Sequence, residues 1–220
     1  EPTQLRVYLE MQHAATGSVA ATIVARTELT GAGREQTLPI PNEALSRAAG
    51  MQVGLPEHAA PRGLELTPPA TLPRLEQADA MGMVPTYLTP LEPHLVDAEG
   101  FMTTRGYMGV ISDAVPNLLV HLSSDDPNTR GIGGAALEYR LVYHRTPRRG
   151  TVLALRSGII DVGAKAYRFG HWMYDAGSGE PVAAAMAVAV LFDLKARKAI
   201  TIPDDRRALL EKMIVPGLVV

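Results

Sequence analysis

The beginning of this chain repeats its end, and that repeat limits the folds open to it. Residues 6–51 resemble residues 168–213 at an offset in numbering that changes by no more than one position. The clearest matches are Arg6 with Arg168, Met11 with Met173, Gly17 with Gly179, Val19 with Val182, Pro41 with Pro203 and Met51 with Met213. Repeats of solenoids and propellers span roughly 20–50 residues. The far longer offset seen here therefore indicates two copies of one domain.

The two copies are unequal, because the second has a long stretch ahead of its matched segment and the first has almost none. We predict that residues 1–51 are the C-terminal part of a first repeat, residues 52–84 a proline-rich linker, and residues 85–220 a complete domain. Two strands in the first copy, at 5–12 and 18–29, would leave exposed sheet edges, which seek partners. We expect preceding residues or another chain to complete that sheet.

Composition excludes several classes of function. The net charge of −2 over 220 residues gives no basic surface for a nucleic acid. There is no cysteine, so disulfides and thiolate zinc sites are impossible, and no pair of histidines has zinc spacing. No apolar run is long enough to cross a bilayer. A cysteine-free chain suits a reducing compartment, and we expect a cytoplasmic location and no metal.

The second copy has the pattern of an α+β domain. A helix is predicted over 103–122, because Tyr107, Ile111, Ala114, Leu118 and Leu122 share one face. Pro116 should kink it. Strands are predicted from about 84 and at 136–145, 151–162, 167–175 and 181–194, and the last of these is an alanine-rich run typical of a strand buried on both faces.

Short helices should close both copies, at 42–50 with Asn42 as N-cap and at 204–213 with Asp204 as N-cap. One long helix with one strand before it and four antiparallel strands after it can be covered only by wrapping the sheet around the helix.

Three stretches resemble the hotdog-fold acyl-CoA thioesterase superfamily. Residues 97–108 (DAEGFMTTRGYM) are similar to the family's Asp-x-x-Gly-His-Val-Asn-Asn-x-x-Tyr-Leu entry to the central helix. Residues 174–183 are similar to the hairpin between its last two long strands, and 190–203 to its closing strand. Together with the repeat, the resemblance implies a double hotdog, an antiparallel sheet wrapped around a helix, whose first repeat is incomplete.

The resemblance also implies an activity: hydrolysis of acyl-CoA or acyl-carrier-protein thioesters in the groove between two hotdog domains. CoA or phosphopantetheine would enter as part of the substrate, without a separate cofactor, and the protein would be a homo-oligomer of hotdog domains. Asp97 takes the position of the catalytic carboxylate, acting as base or nucleophile. Two departures stand beside it, since Phe101 replaces the usual histidine and Thr103-Thr104 the asparagine pair. Asp97 could instead cap a turn.

The start of the central helix is the expected oxyanion site, because helix N-termini present N–H groups and a positive dipole end. The residues assigned to it are Gly100, Met102, Thr103 and Thr104. The acyl chain would lie along Tyr107 and Ile111.

Asp113 is the second candidate acid, because relatives of this fold also place a carboxylate in mid-helix. Asp113, Asn117 and His121 follow each other at four-residue spacing and form one polar stripe. Asn117 would then contact substrate. The plainer interpretation is a solvated helix edge.

Four further residues are candidate contacts for CoA. Arg148 and Arg149, within the basic segment 145–149, suit phosphate groups. Gly163 would allow a close approach of the pantetheine, and Lys165 would meet a phosphate. Ordinary loop charge explains the arginines equally well.

Two alternatives to a thioesterase stay open. The departures at 101, 103 and 104 are also consistent with a non-catalytic subunit that binds acyl thioesters. An enoyl-CoA hydratase or dehydratase is the other alternative, although that branch of the fold uses a histidine, and Phe101 stands at the corresponding place.

Overall fold

The computed structural model describes residues 2–67, 71–120 and 131–220, which belong to two compact units. The first unit is Glu1–Arg62 and the second is Gly63–Val220. The first unit contains a three-stranded antiparallel sheet followed by a helix. Its elements are β1 (Gln4–Gln12), β2 (Val19–Thr30), β3 (Thr37–Leu38) and α1 (Asn42–Gly50).

The second unit contains one long helix and a six-stranded antiparallel sheet, which has the five predicted strands and one short strand more. Its sheet has the order β4-β6-β7-β8-β5, with β9 added beside β8. The elements are α2 (Leu75–Ala80), β4 (Val84–Pro90), α3 (Thr104–Leu118), β5 (Ile132–Tyr143), β6 (Val152–Val162), β7 (Ala166–Asp175), β8 (Pro181–Asp193), β9 (Lys198–Ala199) and α4 (Asp204–Lys212).

The structure shows the internal repeat in its backbone. Strands β1 and β2 pair in the same register as β7 and β8, from the Arg6–Arg26 pair, which matches Arg168–Val188, to the bulge after Met11. Each unit also has one non-glycine residue with left-handed backbone among its described residues. These are Arg34 with φ 56° and Arg197 with φ 54°, each in the loop after the second strand of its hairpin. The register aligns Val19 with Pro181, so the sequence alignment of Val19 with Val182 is one position out.

One face of the large sheet packs against α3. The predicted apolar stripe of that helix is confirmed over its described part, because Tyr107, Ile111, Ala114 and Leu118 are all buried; Leu122 lies outside the described residues. Small side chains on β8 let the helix approach the sheet closely. The cluster between helix and sheet includes Val110, Ile111, Ala114, Leu153, Leu155, Met173, Ala183 and Ala185.

The other face of the sheet is covered too, so β8 is buried on both faces as predicted. The segment after α4 packs directly onto strand backbone at two glycines. A Cβ atom on Gly158 would lie 2.5 Å from Val215 Cγ2, and one on Gly170 would lie 2.4 Å from Val220 Cγ2. No larger residue fits at either position without displacing that segment.

The boundary between the two units, after Arg62, falls inside the predicted linker at 52–84. Within the second unit α2 is held to the sheet by ion pairs, from Asp79 to Arg156 and from nearby Arg74 to Glu180. The many prolines of this stretch hid a helix of only six residues.

The predicted end of α3 and both predicted N-caps differ from the structure, whereas the bounds 42–50 of α1 are confirmed. α3 ends at Leu118 instead of continuing to 122, because Pro116 lacks an N–H group and allows only a short continuation. Prolines occupy the N-cap positions of both short helices, Pro41 before α1 and Pro203 before α4, without a side-chain cap. Asn42 and Asp204 are therefore the first helical residues and not caps.

Candidate active site

Asp97 closes the turn that leads into α3. Its Oδ1 atom accepts hydrogen bonds from the N–H groups of Glu99 at 3.0 Å and Phe101 at 2.9 Å. Its own N–H donates to the Phe101 carbonyl at 2.8 Å. This is the capping arrangement that aspartate makes in turns. The Oδ1 atom of Asp97 therefore holds this turn closed.

Three of the four predicted oxyanion donors already have acceptors. The N–H of Gly100 donates to Asp97 O at 3.0 Å, that of Met102 to Pro147 O at 2.9 Å, and that of Thr103 to Leu95 O at 2.9 Å. These N–H groups are occupied because the turn forms hydrogen bonds within itself and to the segments that contain Leu95 and Pro147. The sequence motif does not reveal those bonds. Thr104, the fourth predicted donor, is the first residue of α3.

The first turn of α3 nevertheless presents N–H groups at the surface. Thr103 is the N-cap, and its Oγ1 accepts from Gly106 N at 3.1 Å. Thr104 and Arg105 are the first two helical residues, and N–H groups at these positions have no acceptor within a helix. Both residues are exposed. Arg105 is thus an oxyanion candidate that the family motif missed.

A basic loop lies against this turn. Phe101 pairs with Arg148, and Arg149 donates its N–H to Gly100 O at 2.8 Å. The Arg148 guanidinium stands 4.4 Å from the centre of the Phe101 ring, within cation–π range. Arg145, Arg148 and Arg149 are all exposed. The structure thus brings Arg148 and Arg149 beside the Asp97 turn.

Tyr107 is buried and hydrogen-bonded to the basic loop. It is 3% exposed, and its hydroxyl donates to the Arg145 carbonyl at 2.7 Å. Its ring meets Tyr143 edge-on with 4.9 Å between centroids. The tyrosine therefore anchors the basic loop to the helix, and its role in holding an acyl chain stays a prediction.

Gly163 and Lys165 lie at the opposite end of the sheet from Asp97. Both are in the exposed turn between β6 and β7, and Gly163 O accepts from Arg207 Nη2 at 2.7 Å. β6 has 11 residues, so this turn is roughly 35 Å from the end that contacts α3's first turn. Within one chain the two cannot join the Asp97 site, because the length of β6 separates their turn from it.

The mid-helix candidates border a separate cleft. An open cleft of about 330 Å³ is lined by Asn117 and by residues 85–89 of β4. Asn117 Nδ2 donates to Thr86 O at 2.9 Å, and both Asp113 and Asn117 are exposed. Burial raises the pKa of Tyr87, and the Asp113 carboxylate adds to this rise. His121 lies outside the described residues.

Sequence reasoning missed a buried polar chain next to this cleft. Ser157 Oγ is 2.6 Å from Thr86 Oγ1 and 2.6 Å from His171 Nδ1. His171 is 1% exposed, its Nε2 has no hydrogen-bond partner among the described residues, and burial lowers its pKa to about 3. Ser157 and His171 are direct cross-strand partners. Only the strand register reveals this pairing, so the sequence offered no signal for it.

Within residues 2–67, 71–120 and 131–220, no group of three or more His, Cys, Asp or Glu side chains could hold a metal ion. Nor does any helix of these ranges have the length and apolar character needed to cross a membrane.

Comparison with known proteins agrees with the fold. Betainyl-CoA thioesterase of Pseudomonas aeruginosa is 29% identical over 100 residues, which are 44% of this chain and 63% of that protein. Slr0204 from Synechocystis, a 1,4-dihydroxy-2-naphthoyl-CoA thioesterase, superposes with a TM-score of 0.51 at 17% identity, over 58% of this chain and 95% of its own. SAV2348 from Staphylococcus aureus, solved in complex with CoA, superposes with a TM-score of 0.54 at 16% identity. The superposition covers 63% of this chain and 90% of that protein.

These similarities define a hotdog fold for the second unit. The family model of the thioesterase-like superfamily matches residues 91–210, more than half of the chain. The chain belongs to the thioesterase-like superfamily. The chain spans less than two thirds of the length of its curated relative.

Proposed function

We propose that this protein hydrolyses acyl-CoA thioesters at the start of α3. The observation that carries the proposal is the convergence, at one end of the sheet, of the Asp97 turn, the exposed first turn of α3 and the basic loop with Arg148 and Arg149. A carboxylate, N–H donors and cationic groups are what thioester hydrolysis and recognition of a phosphate-bearing carrier require.

The reaction follows from these groups. Asp97 takes a proton from water, whose oxygen attacks the thioester carbonyl carbon. The resulting oxyanion accepts hydrogen bonds from the N–H groups of Thr104 and Arg105, where the helix dipole also favours negative charge. The C–S bond then breaks, giving a carboxylic acid and the CoA thiol, which recovers the proton. Asp97 could instead attack directly and form an anhydride that water hydrolyses.

The substrate's carrier would lie along the basic loop. Arg148 and Arg149 suit the phosphates of CoA because guanidinium groups form paired hydrogen bonds with phosphate oxygens. The curated relative acts on a CoA thioester by name, which favours CoA over an acyl-carrier protein.

The groove would form between two hotdog domains in an oligomer. Strand β5 is an edge of the described sheet, because β8 is its one neighbour there. It is 12 residues long, and Leu137 on it is 62% exposed. Long apolar edges of this kind pair with other strands.

Conservative substitutions of the two acids test the proposal. Asp97→Asn keeps the turn, since an asparagine oxygen accepts the same hydrogen bonds, but it removes the base. We expect kcat for acyl-CoA hydrolysis to fall about 10²- to 10⁴-fold, with Asp113→Asn near wild type. A result in which Asp113→Asn loses the activity and Asp97→Asn keeps it would move the site to the cleft.

Asp193→Asn is the matched control. Asp193 caps a turn in the same way, accepting at Oδ1 from the N–H groups of Lys195 at 2.9 Å and Ala196 at 2.8 Å. It lies at the far end of β8 from the Asp97 turn. Wild-type activity in Asp193→Asn would show that loss in Asp97→Asn reflects the missing carboxylate. Full activity in both Asp97→Asn and Asp113→Asn would end the proposal of a carboxylate mechanism.

A non-catalytic role in binding acyl thioesters is the second candidate. It is favoured by the commitment of the Gly100, Met102 and Thr103 N–H groups to internal acceptors. Calorimetric binding of an acyl-CoA, with no release of CoA thiol over hours, would support this role over hydrolysis.

A further inference from the structure

Two aromatic side chains are buried on the outer face of the large sheet, the face turned away from α3. Trp172 is 1% exposed and Tyr174 is 0% exposed. Neither Trp172 Nε1 nor the Tyr174 hydroxyl has a hydrogen-bond partner among the described residues. Buried polar groups are nearly always hydrogen-bonded, because a buried donor without an acceptor loses its bonds to water. Two such donors on one strand therefore point to an acceptor group that binds there.

Arg156 adds a positive charge to the same part of the outer face. It is the cross-strand partner of Trp172 in the pairing of β6 with β7, so the two side chains lie on the same side of the sheet. Tyr174 follows two residues along β7, about 7 Å from Trp172. Burial raises the pKa of the Tyr174 hydroxyl, and the charge of Arg156 acts on that pKa in the opposite direction. These three residues, the donor patch, suit a carboxylate, which accepts several hydrogen bonds at once.

The surroundings of the donor patch are apolar. Trp172 and Tyr174 belong to a cluster whose other buried members are Ala78, Met83, Ala184, Met186, Val215, Leu218 and Val220. Binding sites for small molecules commonly combine such an apolar lining with a few convergent polar groups. A ligand that fits the donor patch therefore has both a carboxylate and an apolar chain.

Helix α2 covers the donor patch and brings a carboxylate to it. Asp79 Oδ2 accepts a hydrogen bond from Arg156 Nη2 at 3.3 Å, and Asp79 Oδ1 accepts one from Arg156 Nε. The Asp79 side chain is 48% exposed, and Ala78 is the one buried residue of this six-residue helix. Partly exposed ion pairs stabilise a protein only slightly, and segments with few buried contacts open locally at low cost in free energy. Helix α2 is therefore a cover that can detach.

We propose that the donor patch binds a carboxylate on an apolar chain, the chemical class of the fatty acids, and that α2 is its lid. In the closed lid Asp79 takes the place of the ligand's carboxylate on Arg156. When α2 opens, the ligand's carboxylate accepts hydrogen bonds from Arg156, Trp172 Nε1 and the Tyr174 hydroxyl, and its chain lies on the apolar cluster. Carboxylic acids are also products of the proposed hydrolysis, but binding at the donor patch does not depend on that activity.

Titration with decanoate, followed by the fluorescence of Trp172, tests the proposal. Trp172 is the single tryptophan of the chain, so its emission reports directly on the donor patch. We expect decanoate to change the emission to a saturating value. Decanol has the same chain length without the charge, and it should bind more than about 10-fold more weakly. Equal dissociation constants for the two compounds would overturn the carboxylate site.

Three variants assign the binding to the donor patch and to its lid. Tyr174→Phe should raise the Kd for decanoate about fivefold without lowering the Tm of the free protein, because the hydroxyl it removes has no partner among the described residues. Arg156→Gln should raise the Kd more than about 10-fold. Asp79→Asn should lower the Kd about fivefold, because the ligand no longer competes with a carboxylate of the lid. A purely structural ion pair would not give tighter binding when it is removed.

Arg168→Gln is the matched control. Arg168 lies on the same face of β7 as Trp172, and its Nε donates to Asp161 Oδ1 at 3.0 Å. Its loss should leave the Kd for decanoate within about twofold, because the site is distant. A Kd that neither Tyr174→Phe nor Arg156→Gln changes would place decanoate elsewhere and overturn the inference, as would the absence of binding to the parent by fluorescence and calorimetry. Weaker binding by Asp79→Asn would contradict the role of α2 as a lid.

Discussion

His171 should make the stability of the second unit depend on pH. Burial lowers the pKa of this histidine from 6.5 to about 3. Below pH 6.5 the unfolded chain binds a proton on His171, but the folded chain does not bind one until about pH 3. The contribution of His171 to the free energy of unfolding is therefore complete above pH 6.5. It is lost as the pH falls from 6.5 toward 3.

The magnitude follows from the width of that window. Each pH unit between the two pKa values is worth about 1.4 kcal/mol. Between pH 7.5 and pH 5.0 the free energy of unfolding should fall by about 2 kcal/mol through His171 alone. Urea unfolding at the two pH values, followed by the fluorescence of the single tryptophan, Trp172 on the same strand, measures the difference.

His171→Asn supplies the comparison. An asparagine amide can occupy the place of Nδ1 and keep the hydrogen bond to Ser157, but it does not titrate. Burial also lowers the pKa of His144, but that histidine is present in both proteins and cancels. We expect the variant to be less stable at pH 7.5 and to lose about 2 kcal/mol less than the parent between the two pH values. Equal losses in both proteins would refute the reasoning.

Two further variants probe the packing around the candidate site. Tyr107→Phe removes the hydrogen bond to Arg145 O, so the free energy of unfolding measured in urea should fall by about 1 kcal/mol. The basic loop should then be held less firmly, and the KM for acyl-CoA should rise. An unchanged KM would mean that the loop does not bind the substrate. Gly158→Ala puts a methyl group 2.5 Å from Val215 Cγ2 and should cost about 1–3 kcal/mol. Gly134→Ala, whose Cβ would have no neighbour closer than 4.0 Å, is its control, and equal losses would contradict the close approach.

The sequence predicted the fold well because the relevant signals are local. The apolar stripe from Tyr107 to Leu118 can be recognised from helical spacing alone. The alanine-rich sequence of β8 by itself indicates a strand that is buried on both faces. The register of the two hairpins is set by nearby turns, such as the one at Gly17 and Gly179. Such features need no knowledge of distant residues.

The candidate site was harder to predict, because its geometry depends on pairings between distant segments. Nothing near Met102 shows that its N–H binds Pro147 O, and nothing near Tyr107 shows that its hydroxyl binds Arg145 O. The same limit explains the distance between Gly163 and Asp97, which follows from the length and the pairing of β6. Family motifs identify the residues of a site but not the state of their hydrogen bonds.

The strand order of the second unit has a consequence for how the chain folds. β6, β7 and β8 are joined by short turns and pair as sequence neighbours, whereas β5 reaches β8 across two intervening strands and β4 reaches β6 across α3 and β5. Local pairings cost less loop-closure entropy than distant ones. The three-strand meander should therefore form early, and the two edge strands should join in the slower, rate-limiting phase.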